Sequence, residues 1–310
     1  MKQITDTLVM IRPVNFRMNE ETAVNNYFQQ STGDLQESVN AKAQVEFDMF
    51  ADKLKSVGVN IIVIDDIASQ DTPDSIFPNN WVSFHENGDV ALYPMFAKNR
   101  RKERREDIFK TIEAEGRFIR DFIDYTSAEQ EDVFLEGTGS LILDRVNSKA
   151  YCALSPRADE DLVIEFCEDF EYTPIIFNAY QSFKGERLPI YHTNVMMCIA
   201  EDFAVICLDT IDDKKEQKLV ANNLKQDGKE IISISEEQMN NFAGNMLQVQ
   251  GEVDKFLVMS QTAYQALLQH QIKTIEQYCK ILSTDLGTIE THGGGSARCM
   301  LAEVFIPKTV

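Results

Sequence analysis

No stretch of the 310-residue chain approaches the roughly 20 consecutive apolar residues that a membrane-spanning helix requires. The opening MKQITDTLVMIRPVNF has no hydrophobic signal core and no Arg/Ser-rich transit pattern, and it reads as a strand. A membrane partner is therefore not expected. Positive charge is also scarce: 30 Lys and Arg stand against 50 Asp and Glu, for a net charge of -20. Phosphate contacts need clustered basic residues, so nucleic acid is not expected as a partner either. The one basic run, KNRRKERRED at 98–107, is closed by acids and reads as the start of a helix. None of the six cysteines forms a CxxC pair, which argues against a zinc or dithiol redox motif. Their irregular spacing fits reduced thiols in a cytoplasmic setting. There is no Pro/Gly/Ser-rich linker and no low-complexity tract, so a single domain over 1–310 is expected.

What the chain does have is repetition. WVSFHENGDVALYPM at 81–95 reads as two strands around the turn signal ENGD. SLILDRVNSKAYCALS at 140–155, VMMCIAEDFAVICLD at 195–209 and MLQVQGEVDKFLVMS at 246–260 have the same shape. A fifth copy is split between the ends, ARCMLAEVFIP at 297–307 and LVMIRPV at 8–14. Amphipathic helical patterns lead from these hairpins to further strands, VNIIVID, TPIIFNAY, KEIISIS and ILST. The last of those patterns, QTAYQALLQHQIKTIEQYCK, reads as one helix. A period of this length points to radial repetition: an α/β fold of five ββαβ units closed into a ring around a pseudo-five-fold axis.

In such a ring the segments just before each hairpin meet at one end of the axis. They contain Asp74, Asn80, Glu136, His192, Asn194, Asn245 and Cys299. Each has a bland explanation taken singly, as a turn residue, a turn cap or a core histidine. Of the other histidines, His270 lies on an amphipathic helix and reads as surface, and His292 adjoins the glycines of the HGGGSARC segment. The joint placement is the informative part. A cysteine, a histidine and a carboxylate in one pocket supply a nucleophile, a proton shuttle and an orienting acid. Protonated, His192 would hold the neighbouring thiol as thiolate. The glycines before Cys299 let the backbone turn sharply and leave room at the nucleophile.

The motifs FPNN, LEGTGS, HTN and GGGSARC resemble those of the pentein superfamily of guanidine-modifying enzymes. That group includes arginine deiminases, dimethylarginine dimethylaminohydrolases, amidinotransferases and succinylarginine dihydrolase. Within it, the sequence is most similar to the bacterial branch of amidinotransferase-like proteins and citrulline utilisation hydrolases. The resemblance spans nearly the whole chain. It implies a pentein α/β-propeller in which Cys299 is the nucleophile, His192 the general acid/base and Glu136 its carboxylate partner. SPRAD at 155–159 is similar to the segment whose arginine grips the substrate α-carboxylate, which nominates Arg157. NRRKERRE at 99–106 is similar to a second such segment and nominates Arg101. Asp74 is expected at the α-amino group. No metal and no organic cofactor is implied.

The departures from the family pattern set the expected substrate. Where deiminases hold a guanidinium between aspartates, this chain has Asn80 and Asn194. An uncharged amide offers donor and acceptor to a neutral ureido group and gives no ion pair to a cation. The expectation is a hydrolase converting citrulline to ornithine, carbon dioxide and ammonia through a covalent cysteine intermediate. An arginine deiminase-like hydrolase or an amidinotransferase on the same site is the alternative within the superfamily. A non-catalytic binding module is the alternative outside enzymology. The partner in the first two cases is a small molecule, citrulline or an arginine derivative; oligomeric state is left open, a homo-oligomer included.

Overall fold

The computed structural model describes residues 1–33 and 35–308. Strand β1 (Thr7–Arg12) is followed by a long loop and the 21-residue helix α1 (Gln36–Ser56). Val39, Ala43, Phe47, Phe50, Ala51 and Leu54 form the buried stripe of α1, spaced at the three or four residues that keep one face inward. Gly58, at φ +88°, ends the helix and turns the chain into β2 (Asn60–Asp65), which pairs with β1 in parallel.

The same plan recurs. An antiparallel hairpin is followed by a helix and then by a third strand parallel to the second, because a parallel neighbour cannot be reached by a tight turn. The sets are β3 (Val82–Phe84), β4 (Asp89–Leu92) and β5 (Asp121–Asp124), then β6 (Leu141–Asp144), β7 (Lys149–Leu154) and β8 (Thr173–Asn178). A two-stranded hairpin, β9 (Tyr180–Phe183) and β10 (Glu186–Pro189), comes next. The plan resumes with β11 (Met197–Ile199), β12 (Phe203–Ile206) and β13 (Glu230–Ser233), and with β14 (Leu247–Gln250), β15 (Lys255–Ser260) and β16 (Lys280–Thr284). Finally β17 (Ala302–Glu303) runs antiparallel to β1, with Leu8 opposite Glu303, so the two ends of the chain complete one sheet. Among the described residues the fold is thus mixed α/β, with five three-stranded sheets and one small hairpin.

The first strands of neighbouring sheets pack against one another, β17 beside β3, β6 beside β11 and β11 beside β14. Strands β6, β11 and β12 are buried along their whole length, as strands covered on both faces must be. Third strands such as β5 lie outermost and more exposed. No described helix is long and apolar enough to cross a membrane.

Two sequence expectations need correction. The pattern from Gln261 is not one helix but two, Gln261–Ala266 and Gln269–Ile275. Leu267 and Leu268 are extended between them, and the side-chain oxygen of Gln271 accepts the Leu268 N–H to start the second. No glycine or proline marks the break, so propensity alone carries it through. The basic run begins with a 3-10 turn, Asn99–Glu103, and the regular helix α2 (Glu106–Ala114) starts only after it.

Candidate active site

Short helical turns precede four of the first strands: Pro78–Asn80, Gly137–Ser140, Thr193–Met196 and Ala297–Met300. The turns at 78–80, 137–140 and 297–300 pack together, and 137–140 also meets 193–196. This contact is close enough to dictate residue type. A Cβ on Gly139 would collide with Asn80 Nδ2 and lie 2.9 Å from His192 Nδ1. In the segment before Cys299, Gly294 makes the sharp turn at φ +62°, and Cβ atoms on Gly293 or Gly295 would reach to 2.8 Å from the Phe77 ring. Those two glycines make room for Phe77 and at the same time line the cavity beside Cys299.

That cavity is small, with room for about one water molecule. Cys299, His192, Asn80, Asp74 and Arg157 all reach it, together with Arg100. His192 Nε2 lies 2.7 Å from Glu136 Oε2. Glu136 is fully buried, and its other oxygen accepts the Phe96 N–H at 3.0 Å. Burial works against its charge, yet Arg157, the His192 hydrogen bond and Arg100 outweigh it and pull the carboxyl down to about 2. Burial pushes His192 down to about 4 against the attraction of Glu136. Burial and the two arginines thus work against the protonated form of His192 expected beside the thiol. With Nε2–H directed to an ionised Glu136, Nδ1 is left as the basic nitrogen.

Asn80 is held by its acceptor end: Oδ1 accepts from Arg100 Nη1 at 2.8 Å. A guanidinium has no acceptor, so the amide cannot be turned the other way. Nδ2 is left buried and without a partner. Asn194, expected at the substrate, lies against Cys299, with Nδ2 3.5 Å from Sγ.

Arg157 is 2% exposed and stacks over Tyr191, its guanidinium carbon 4.9 Å from the ring centre. Its Nε donates to Asn25 Oδ1 at 2.9 Å and Nη2 to the Thr22 carbonyl at 3.0 Å. Asp74 accepts from Asn19 Nδ2 at 2.8 Å and Thr22 Oγ1 at 3.1 Å through one oxygen, while Oδ1 is buried and unpartnered.

Arg101 does not reach the cavity. It donates to the Met95 carbonyl at 3.0 Å and pairs with Glu129 on the partly exposed side of the 3-10 turn. Its neighbour Arg100 takes the inward place, 2% exposed, with Nε and Nη2 each 2.9 Å from Glu103. The spacing Arg100–Glu103 is the signal that separates the two, since a buried arginine needs a buried carboxylate one helical turn away. Sequence reading also missed Asn19, Thr22, Asn25 and Asn26, from the loop after β1, which close over the cavity. Their spacing of three, three and one places polar groups on one side of the loop. His270 is exposed, and His292 is buried in the helix Gly287–Gly293.

The family model described as eukaryotic N,N dimethylarginine dimethylhydrolase matches residues 12–306. The chain belongs to this dimethylarginine dimethylhydrolase family. The superfamily to which its motifs pointed, that of the guanidine-modifying penteins, is the one found. Membership places the chain among hydrolases of guanidino groups. Solved structures agree on the fold. Apo ArgZ, an arginine dihydrolase from the ornithine–ammonia cycle in cyanobacteria, has a TM-score of 0.74 at 17% identity over 98% of this chain. This chain spans only 41% of that protein. The N-terminal domain of ArgZ bound to substrate gives 0.73 at 16% identity, covering 98% of this chain and 99% of that one. A cysteine variant of the Pseudomonas aeruginosa dimethylarginine dimethylaminohydrolase, in complex with citrulline, gives 0.66 at 14% identity, covering 97% and 99%. Among curated proteins none matches.

Proposed function

We propose that this family member hydrolyses citrulline to ornithine, carbon dioxide and ammonia, with Cys299 as nucleophile. One observation carries the reading: Asn80 lines the cavity, its acceptor end is locked by Arg100, and its N–H group is left buried without a partner. A neutral donor suits the oxygen of a ureido group. A guanidinium would find no acceptor on Asn80, whose oxygen is already bound to Arg100.

In this mechanism Cys299 Sγ attacks the ureido carbon as its proton passes to His192 Nδ1. Asn80 Nδ2 donates to the oxygen as negative charge develops on it. Glu136 steadies the imidazolium, which then protonates the departing ornithine nitrogen. The carbamoyl thioester left on Cys299 is attacked by water, with His192 as base. The carbamate released breaks down to ammonia and carbon dioxide, so one water is consumed overall. Arg157 and Arg100 supply positive potential for the α-carboxylate, and the free oxygen of Asp74 takes the α-amino group. The five ββαβ units form one propeller-like domain over 1–310, with the hairpin-leading turns at one end of its axis. The six free cysteines fit a reducing, cytoplasmic setting.

The test is incubation of the purified protein with citrulline, arginine, dimethylarginine and succinylarginine, with ammonia, ornithine and other amino-acid products quantified. Ornithine and ammonia from citrulline are expected. Turnover of arginine or dimethylarginine with citrulline left untouched would defeat the reading.

A further inference from the structure

Asn245 is not among the residues given a role above, yet it makes the shorter of the two amide contacts to the Cys299 sulfur. Its Nδ2 lies 3.2 Å from Sγ, against 3.5 Å for Nδ2 of Asn194. All three side chains are buried, Asn245 at 1%, Asn194 at 0% and Cys299 at 3% exposure.

Which end of an amide faces a neighbour is decided by its other partners. Asn245 Oδ1 accepts the backbone N–H of Arg298 at 3.0 Å, and Nδ2 also donates to the Asn194 carbonyl at 3.0 Å. An N–H cannot accept and a carbonyl cannot donate, so both ties turn the NH2 group toward the sulfur. Asn194 has no comparable lock, since its Oδ1 also lies within reach of the thiol at 3.9 Å. Asn245 is thus the fixed donor. Because it grips the residue next to Cys299 in the chain, it also fixes the sulfur relative to its own backbone.

We propose that Asn245 is a catalytic residue of this site, donating a hydrogen bond to the Cys299 sulfur that supports the negative charge growing on it as its proton passes to His192 Nδ1. The proposal rests on Cys299 being the nucleophile. Charge-assisted hydrogen bonds favour the ionised partner.

The experiment is alkylation of Cys299 by iodoacetamide, followed on its own peptide by mass spectrometry from neutral to alkaline pH. No substrate is needed, so a failed citrulline assay leaves the result standing. The other five cysteines are buried, with thiols pushed up to about 11 or 12, and C299S supplies the background. N245A should label about tenfold more slowly at pH 7 and regain the parent rate as pH rises. Asn245→Asp keeps an acceptor for the Arg298 N–H but replaces the donor with a carboxylate oxygen. Its new oxygen also faces the Asn194 carbonyl, so it should melt below the parent, and it should label more slowly still. Parent-like labelling of N245D at neutral pH would overturn the proposal. So would a loss in both variants that alkaline pH does not restore, because that marks a structural role.

Discussion

His192 Nε2 sits 2.7 Å from Glu136 Oε2, with both side chains sealed from solvent. The pair makes the fold sensitive to acid. Native His192 is held near 4, below its ordinary 6.5, so the unfolded chain takes up that proton first. Its stabilising contribution is complete above pH 6.5 and is lost as pH falls through 4. Glu136, held near 2 instead of 4.5, adds a second loss below pH 4.5. The histidine part amounts to about 3 kcal/mol. Urea unfolding should therefore weaken steadily from pH 6.5 to 4. His192→Asn, which keeps a donor for Glu136, should flatten that slope; an equal slope in both proteins would contradict the assignment.

Cys299→Ser should abolish turnover and leave the fold intact. The hydroxyl replaces the thiol with little change of volume in a buried site, so circular dichroism and melting temperature should match the parent. Residual activity above a thousandth of the parent kcat would exclude a covalent cysteine intermediate.

Asn80→Asp should erode the preference for citrulline. The variant keeps an acceptor for Arg100 Nη1 and turns a carboxylate oxygen toward the cavity in place of the N–H. The ratio of kcat/KM for citrulline to that for arginine should fall tenfold or more, which corresponds to about 1.4 kcal/mol in transition-state binding. An unchanged ratio would mean that Asn80 does not meet the reacting group.

Gly139→Ala tests the closeness of the turns. Its backbone is open to alanine, since φ is not positive, so any damage comes from the new methyl alone. That methyl would press on Asn80 Nδ2 and His192 Nδ1 together. Activity should fall at least a hundredfold, as displacement of reacting groups by about 1 Å does, while the melting temperature drops only modestly. A fully active G139A would show that the two side chains move aside freely.

The repeat was legible because strands alternate with amphipathic helices at a steady period, and because ENGD specifies its own turn. The hairpin-leading residues Asp74, Asn80, Glu136, His192 and Cys299 could be nominated by their equivalent positions in that repeat. Arg100 is set apart from Arg101 only by Glu103 three residues on, because a short 3-10 turn has no periodicity long enough to read. The polar loop after β1 has no regular structure, and its contacts to Asp74 and Arg157 bridge 52 to 135 residues of sequence. The downward shift of His192 depends on the sum of burial and two nearby arginines, which no motif encodes. The broken helix at Leu267 shows the opposite limit, a tertiary placement overriding a continuous helical pattern.

The pairing of β17 with β1 has a bearing on how the protein is made. A ribosome delivers Leu8 about three hundred residues before Glu303, its partner across the sheet. Until then one edge of β1 has no strand beside it, and the turn carrying Cys299 has not emerged. Cys299 and β17 therefore emerge after the strands of the other four three-stranded sheets. A nascent chain that stalls short of this point leaves that edge of β1 without its antiparallel partner.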